Sequence, residues 1–154
     1  MAAQTIETFL ARLCIAKRAA LDTACFIYTF EDKAPYAELG EALFNAIHAG
    51  EIQALTSTIS LSEVLVKPLE LEDFPAVELY QSVFRSLPNF RVIAVDEHIA
   101  VAAARIRAAY HFELPDAIEL ATAIVGGAEL FVTNDKALRS FDQLEVLVLG
   151  DFAK

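Results

Sequence analysis

The stretch LPDAIELATAIVGGAELFVTNDKAL, residues 114–138, decides the fold of this chain of 154 residues. Pro115 and Asp116 suit the first turn of a helix, and the apolar spacing predicts that this helix stops at Gly126–Gly127. The segment ELFVT at 129–133 then has the composition of a buried strand. A helix that leads directly into a buried strand is typical of an α/β chain with a mostly parallel sheet.

The same alternation of helix and strand runs along the whole chain. We therefore expect a three-layer sandwich with a central, mostly parallel sheet of about five strands, formed by one domain over residues 1–154 in which residues 1–18 are an N-terminal helical extension. Strands are predicted at 19–22, 52–58, 91–95, 129–133 and 145–149, and TACFIYTF at 23–30 is a helix or turn. Helices are predicted at 4–17, 35–49, 60–68, 73–87, 96–110 and 115–125, with a short helix from 134.

Composition limits the class of protein. Twenty-two acidic residues against twelve Lys plus Arg give a formal net charge of -10, which argues against broad electrostatic binding of nucleic acid. Charges interrupt every apolar window that could span a membrane, and the N-terminus lacks a signal-peptide pattern. We therefore expect a cytoplasmic protein whose large apolar fraction, 56%, serves a dimer or partner interface. Cys14 and Cys25 have no metal-type spacing and are expected to be reduced, buried thiols.

Four acidic residues stand at the corners where strand-like and helix-like segments meet: Asp22, Glu63, Asp116 and Asp135. In a parallel sheet such corners lie along one edge, where open α/β folds bind ligands. Two unit charges ~4 Å apart interact by roughly 4 kcal/mol at an effective dielectric of 20, so four neighbouring carboxylates would repel strongly. A hard divalent cation with oxygen ligands removes this repulsion. The pattern therefore predicts a Mg²⁺- or Mn²⁺-dependent enzyme that acts on phosphodiesters, with RNA as the favoured substrate.

Each acid also has a purely structural interpretation. Asp22 could cap the helix after the first strand. Ser60 and Glu63 match a capping box. Asp116 and Asp135 occupy first-turn positions, where a negative charge suits the helix dipole.

Several neighbouring polar residues have open roles. Thr23, Thr133 and Asn134 flank the acids and could orient carboxylates or metal-bound water, although helix capping would explain Thr133 and Asn134 equally well. Asp96 is a plain cap if its strand lies at the edge of the sheet. Glu119, one helical turn after Asp116, is either a further ligand or merely exposed.

Four segments resemble the acid motifs of PIN-domain nucleases: LDTACFIY at 21–28, SLSEVLVKPL at 60–69, LPDAIELATAI at 114–124 and LFVTNDKAL at 130–138. The intervening VIAVDEHIAVAAARIRAAY at 92–110 is similar to the stretch that precedes the third acid in VapC-type toxins of bacterial toxin–antitoxin pairs. The similarity runs from about residue 19 to the C-terminus.

This resemblance implies a Mg²⁺- or Mn²⁺-dependent ribonuclease with a PIN-like fold, which forms a homodimer and is inhibited by a small antitoxin. It also implies that Asp22, Glu63, Asp116 and Asp135 are the metal-binding catalytic acids. Two features depart from the family pattern: a helix precedes the first strand, and Ala24 stands where Asn or Ser often follows the first acid.

Two other functions are compatible with an α/β chain of this kind. One is a catalytically silent PIN-like module that binds a partner or RNA; the four retained acids argue against it. The other is a phosphohydrolase that acts on small phosphates. Such enzymes commonly place a second Asp two residues after the nucleophilic one, and Ala24 occupies that position here.

Overall fold

A computed structural model describes the backbone of residues 2–153 and the side chains of residues 5–153. The strands are β1 (Arg18–Leu21), β2 (Gln53–Ser57), β3 (Phe90–Ile93), β4 (Leu130–Thr133) and β5 (Glu145–Val148). The helices are α1 (Ala2–Ala16), α2 (Thr23–Phe30), α3 (Ala37–His48), α4 (Thr58–Glu70), α5 (Phe74–Ser86), α6 (Glu97–Tyr110) and α7 (Leu114–Val125). Two short 3₁₀ helices cover Lys136–Ser140 and Leu149–Asp151.

The five strands form one parallel sheet in the order β3-β2-β1-β4-β5. Ala20 of the central strand β1 pairs with Leu55 on one side and with Phe131 on the other. The chain first moves outward from β1 to β2 and β3, and then returns to place β4 on the opposite side of β1. The order of strands therefore reverses beside β1. In an open α/β sheet this reversal leaves a crevice at the carboxyl ends of the strands, where ligands bind.

Helices cover both faces of the sheet, which confirms the predicted three-layer α/β sandwich. Alternate residues of β4 show the two faces clearly, because Leu130 and Val132 pack into one core while Phe131 packs into the other. Residues of α1–α5 form the first core, and residues of α6 and α7 form the second. A strand that is buried on both faces has a continuous run of apolar residues, and for this reason the segment ELFVT predicts a buried strand. Among residues 2–153, no helix is long and apolar enough to cross a membrane.

The beginning of α4 differs from the prediction. The helix begins at Thr58, and Ser57 is its N-cap, with a side chain that accepts from the amide of Ile59 at 3.2 Å. The predicted capping box of Ser60 and Glu63 is therefore wrong, because both residues lie inside the helix. The sequence offers hydroxyls at 57, 58 and 60, and the end of β2 determines which of them becomes the cap. The end of α4 was also predicted too early, since Pro68 lies within its last turn.

The two cysteines are free, but only one matches the prediction of a buried thiol. Cys25 is buried, whereas Cys14 is exposed. The buried face of α1 carries Phe9, Leu13 and Ala16, at helical spacing. Cys14 lies about 100° around the helix from Leu13 and so falls outside this face.

The helix α1 packs into the first core. Phe9 is fully buried, and its ring centroid lies 5.4 Å from that of Phe152 near the other end of the chain. Phe9→Ala is therefore expected to lower the free energy of unfolding by about 3–5 kcal/mol, as truncations of buried aromatic residues do. Ile15→Ala, at a side chain that is 77% exposed, is the control and should change it by less than about 0.5 kcal/mol. Urea unfolding of both variants makes the comparison. Equal small losses would show that α1 does not share the core.

Candidate metal centre

Asp22 lies at the end of the central strand β1 and caps α2. Its Oδ1 accepts a hydrogen bond from the amide of Ala24 at 3.0 Å, and its Oδ2 accepts one from the hydroxyl of Thr133. The residue is 8% exposed. Burial, together with the negative charge of Asp116, raises the pKa of Asp22 from 3.8 to about 7, against the lowering effect of the hydrogen bonds. The capping role predicted for Asp22 is confirmed, but it accounts for only one of the two carboxylate oxygens.

Asp116 lies in the first turn of α7, as predicted, and is half-buried. Burial raises its pKa from 3.8 to about 6, and the nearby negative charges of Asp135, Glu113 and Glu63 contribute in the same direction. Because Asp116 in turn raises the pKa of Asp22, the fold brings all four predicted acids into one electrostatic neighbourhood.

Glu63 projects from α4 and is exposed. Its Oε1 accepts a hydrogen bond from the hydroxyl of Thr23 at 2.7 Å. Thr23 is the first residue of α2 and directly follows Asp22. This hydroxyl thus connects the Glu63 carboxylate to the β1–α2 corner.

Asp135 is exposed and caps the 3₁₀ helix that follows β4, with its Oδ1 accepting from the amide of Ala137 at 2.9 Å. The amide of Asp135 donates to the hydroxyl of Thr133 at 3.0 Å. The hydroxyl of Thr133 donates in turn to Asp22. Thr133 therefore links the two acids that follow β1 and β4, and the alternative of helix capping is wrong for it.

Asn134 has a structural role of a different kind. Its Nδ2 donates to the hydroxyl of Tyr28 at 3.1 Å, and its Oδ1 accepts from the amide of Gly150 at 2.8 Å. It does not cap the following helix, so that alternative is wrong here too. Instead, Asn134 connects the end of β4 to Tyr28 of α2 and to Gly150 in the second 3₁₀ helix.

Asp96 caps α6 by accepting from the amide of Ile99 at 2.9 Å, and it is exposed. It follows β3, which is an edge strand with β2 between it and β1. Since β3 lies at the edge of the sheet, Asp96 is the plain helix cap that was expected in that case.

Glu119 is 5% exposed, which excludes the expectation that it is merely exposed. Its Oε1 lies within hydrogen-bonding distance of the hydroxyls of Ser60 and Thr23. Ser60 was not predicted in this role, and neither was Thr56, which contacts Ser60. The run TSTIS contains both residues, but its pattern does not indicate which hydroxyls point inward.

The donor set suits a hard divalent cation. All four groups are carboxylates, and among the described residues none of the four forms a salt bridge with Lys, Arg or His. Within the same part of the chain, no three His, Cys, Asp or Glu side chains already converge on a point where a metal ion would sit. Mutual repulsion favours such separation until a cation compensates the charge. The residues fit a divalent metal by charge and by the chemistry of their oxygen ligands.

Comparison with known families identifies the class of protein. The sequence model of the PIN domain matches residues 19–144. The chain therefore belongs to the PIN domain family. The match begins within β1, so the helix α1 precedes the shared region. Among curated proteins, the search finds no match.

Solved structures show the same fold. A toxin–antitoxin complex from Klebsiella pneumoniae contains a chain that is 26% identical, with a TM-score of 0.63, and the alignment covers 85% of this chain and 97% of that one. VapBC2 from Rickettsia felis, bound to a DNA fragment from its promoter, gives 16% identity, a TM-score of 0.64 and coverage of 85% and 98%. FitAcB from Neisseria gonorrhoeae gives 20% identity, a TM-score of 0.64 and coverage of 86% and 98%.

Proposed function

We propose that this protein is a metal-dependent endoribonuclease and the toxin of a type II toxin–antitoxin pair. The observation that carries the proposal is the group of four carboxylates at the strand-order reversal of a PIN domain, without a described cationic partner. Burial and mutual repulsion raise the pKa of two of them, Asp22 and Asp116. Perturbed carboxyl groups of this kind concentrate at functional sites.

In this proposal Asp22, Asp116 and Asp135 hold Mg²⁺ or Mn²⁺, and Glu63 binds it directly or through water. The bound cation would activate water for attack on phosphorus and stabilise the charge that develops on the phosphate oxygens. Thr133 keeps the carboxylate of Asp22 in a fixed orientation, as groups next to a metal ligand commonly do.

The proposed partners are a cognate antitoxin and a second copy of the chain, in the cytoplasm. The 26% identical chain in the toxin–antitoxin complex from Klebsiella pneumoniae supports the first partner. Exposed apolar side chains are evidence for a surface that binds another protein. Five of them lie on α4, on α5 and in the turn between these helices: Val66, Leu69, Leu71, Phe74 and Leu79.

Cleavage of RNA by the purified protein tests the proposal. We expect cleavage with Mg²⁺ or Mn²⁺, none with excess EDTA, and recovery when the metal is restored. Attack by water leaves 5′-phosphate and 3′-hydroxyl ends, whereas attack by the neighbouring 2′-hydroxyl of RNA would leave a 2′,3′-cyclic phosphate. End-group analysis therefore separates this activity from a contaminating metal-independent ribonuclease. Absence of metal-dependent cleavage over a varied set of RNAs would favour the silent binding module.

A further inference from the structure

A group of hydrogen-bond donors lies beside the candidate metal centre, on the side of β5. Asn134 follows β4, and its Oδ1 accepts from the amide of Gly150 at 2.8 Å. The position that a Cβ atom would take at Gly150 is 3.9 Å from the hydroxyl oxygen of Tyr36 and 3.9 Å from Cε of Lys136. The hydroxyl of Tyr28 lies 3.1 Å from Nδ2 of Asn134. The side chains of Tyr28, Tyr36 and Lys136 therefore border one region, and we call these three residues the donor cluster.

The hydroxyl protons of both tyrosines are available to a bound acceptor. Because Oδ1 of Asn134 accepts from Gly150, its Nδ2 is the donor in the contact with Tyr28, and the oxygen of Tyr28 accepts that bond. The proton of Tyr28 then has no acceptor among the described residues. The hydroxyl of Tyr36 forms no hydrogen bond within the same part of the chain.

Lys136 gives the donor cluster a positive charge. It is exposed, and its ammonium group forms no salt bridge with any described residue. The carboxylate of Asp151, which follows Gly150, is bound by Arg139 instead. The donor cluster thus combines one ammonium group with two hydroxyl donors, and these are groups that bind phosphate oxygens in nucleic acids.

The donor cluster is attached to the same elements as the proposed metal ligands. Lys136 directly follows Asp135, and Tyr28 belongs to α2, which Asp22 caps. The rings of Tyr28 and Tyr36 are stacked, with centroids 4.6 Å apart and an angle of 19° between their planes. This contact fixes the position of Tyr36 relative to α2. A phosphate bound by the donor cluster would therefore lie next to the metal centre.

We propose that the donor cluster binds a phosphate group of the RNA strand next to the phosphodiester that is cleaved, so that the strand passes from the metal centre across the end of β4 toward β5. This inference rests on the ribonuclease function proposed above. Phosphate contacts position a nucleic acid without reading its sequence. Lys136 and Tyr36 therefore increase the affinity for RNA of any sequence and leave the chemical step unchanged.

Cleavage of a short single-stranded RNA with saturating Mg²⁺ tests the role of Lys136. Lys136→Gln should raise KM by about 10-fold, the effect of losing one charge-assisted hydrogen bond, and should leave kcat within about threefold of wild type. The slope of log(kcat/KM) against log[salt] should become less steep by about 0.7, because one phosphate contact to a single strand is lost. Lys136→Arg keeps the charge and should retain the wild-type slope.

Two further variants test the geometry. Tyr36→Phe keeps the ring that stacks on Tyr28 and removes only the hydroxyl, so KM should rise by about threefold with kcat retained. Lys17→Gln is the matched control for Lys136→Gln. Lys17 is also an exposed lysine beside a strand, but it precedes β1 and thus lies at the opposite edge of the sheet from the acids. Its variant should keep the wild-type KM and salt slope.

The metal-free protein gives a readout that does not depend on activity. Fluorescence anisotropy of the same RNA, carrying a dye at one end, measures its affinity in excess EDTA at low salt. Lys136→Gln should bind this RNA about 10-fold more weakly than wild type, whereas Lys17→Gln should bind it equally well.

The outcomes separate this inference from the proposed function. A wild-type KM and salt slope in Lys136→Gln would overturn the inference and leave the ribonuclease function in place. A lower kcat with unchanged KM would also overturn it, since Lys136 would then act in the chemical step. If the wild-type protein shows no metal-dependent cleavage, the proposed function fails and the anisotropy still decides. Equal affinities of wild type and Lys136→Gln, or no binding by either, would then overturn the donor cluster as an RNA contact.

Discussion

Asp116→Asn is expected to lower the rate of RNA cleavage by about 10²-fold or more while the fold is retained. The change removes one negative charge from the proposed metal ligands, and metal-assisted hydrolysis depends on that charge to hold the cation in place. Asp116 is half-buried in the first turn of α7 and is not the N-cap of that helix. The loss of its charge should therefore cost little helix stability. Initial rates on a fixed RNA substrate with saturating Mg²⁺ measure the effect.

Asp96→Asn is the matched control for this prediction. Asp96 also follows a strand and begins a helix, but it stands at the sheet edge and its described role is a cap, which Asn performs equally well. Its variant should cleave RNA at the wild-type rate. Full activity in Asp116→Asn would remove that residue from the site, and equal losses in both variants would point to a general loss of folded protein.

The second large effect is a stabilisation of the metal-free protein by Asp22→Asn at high pH. The pKa of Asp22 is about 7 in the folded protein and near 3.8 in the unfolded chain. Between these values the folded state binds more protons than the unfolded state, so this group makes stability fall as pH rises from about 4 to 7. Asparagine does not titrate and remains a good N-cap. Above pH 7 the variant should be more stable by on the order of a few kcal/mol, since one pKa unit is about 1.4 kcal/mol.

Thermal and urea unfolding at several pH values measure this difference between variant and wild type. The advantage of Asp22→Asn should vanish below about pH 3, where the wild-type carboxyl is protonated in both states. Saturating Mg²⁺ should reverse the order above pH 7, because only the wild-type protein then gains binding energy in its folded state. A variant that is less stable than wild type in EDTA at every pH would show that the buried charge of Asp22 carries no cost.

The layout of the fold and the gathering of the acids could be predicted from sequence for definite physical reasons. β4 is buried on both faces, which gives the uninterrupted apolar run at 130–132, and α7 is bounded by Pro115 and Gly126. A parallel sheet then requires its strand-to-helix corners to share one edge. The pairing order could not be predicted in this way, because periodicity carries no information about which strands are neighbours.

The predictions from sequence were wrong at positions where several residues of similar chemistry could fill one structural role. Ser57 and Ser60 are both suitable caps, and only the end of β2 decides between them. Glu119 lies on a helix that is apolar enough to be buried on more than one side, so its carboxyl group is enclosed despite its charge. Its hydroxyl partners come from α2 and α4, and such contacts between distant segments have no local signal in the sequence.

Isothermal titration of Mn²⁺ into the wild-type protein, Asp22→Asn and Asp116→Asn tests the central claim most directly. The four-acid centre predicts saturable binding to wild type that is lost, or weakened at least about 10²-fold, in both variants. Binding of equal strength in all three proteins would place the metal elsewhere and contradict the proposed centre.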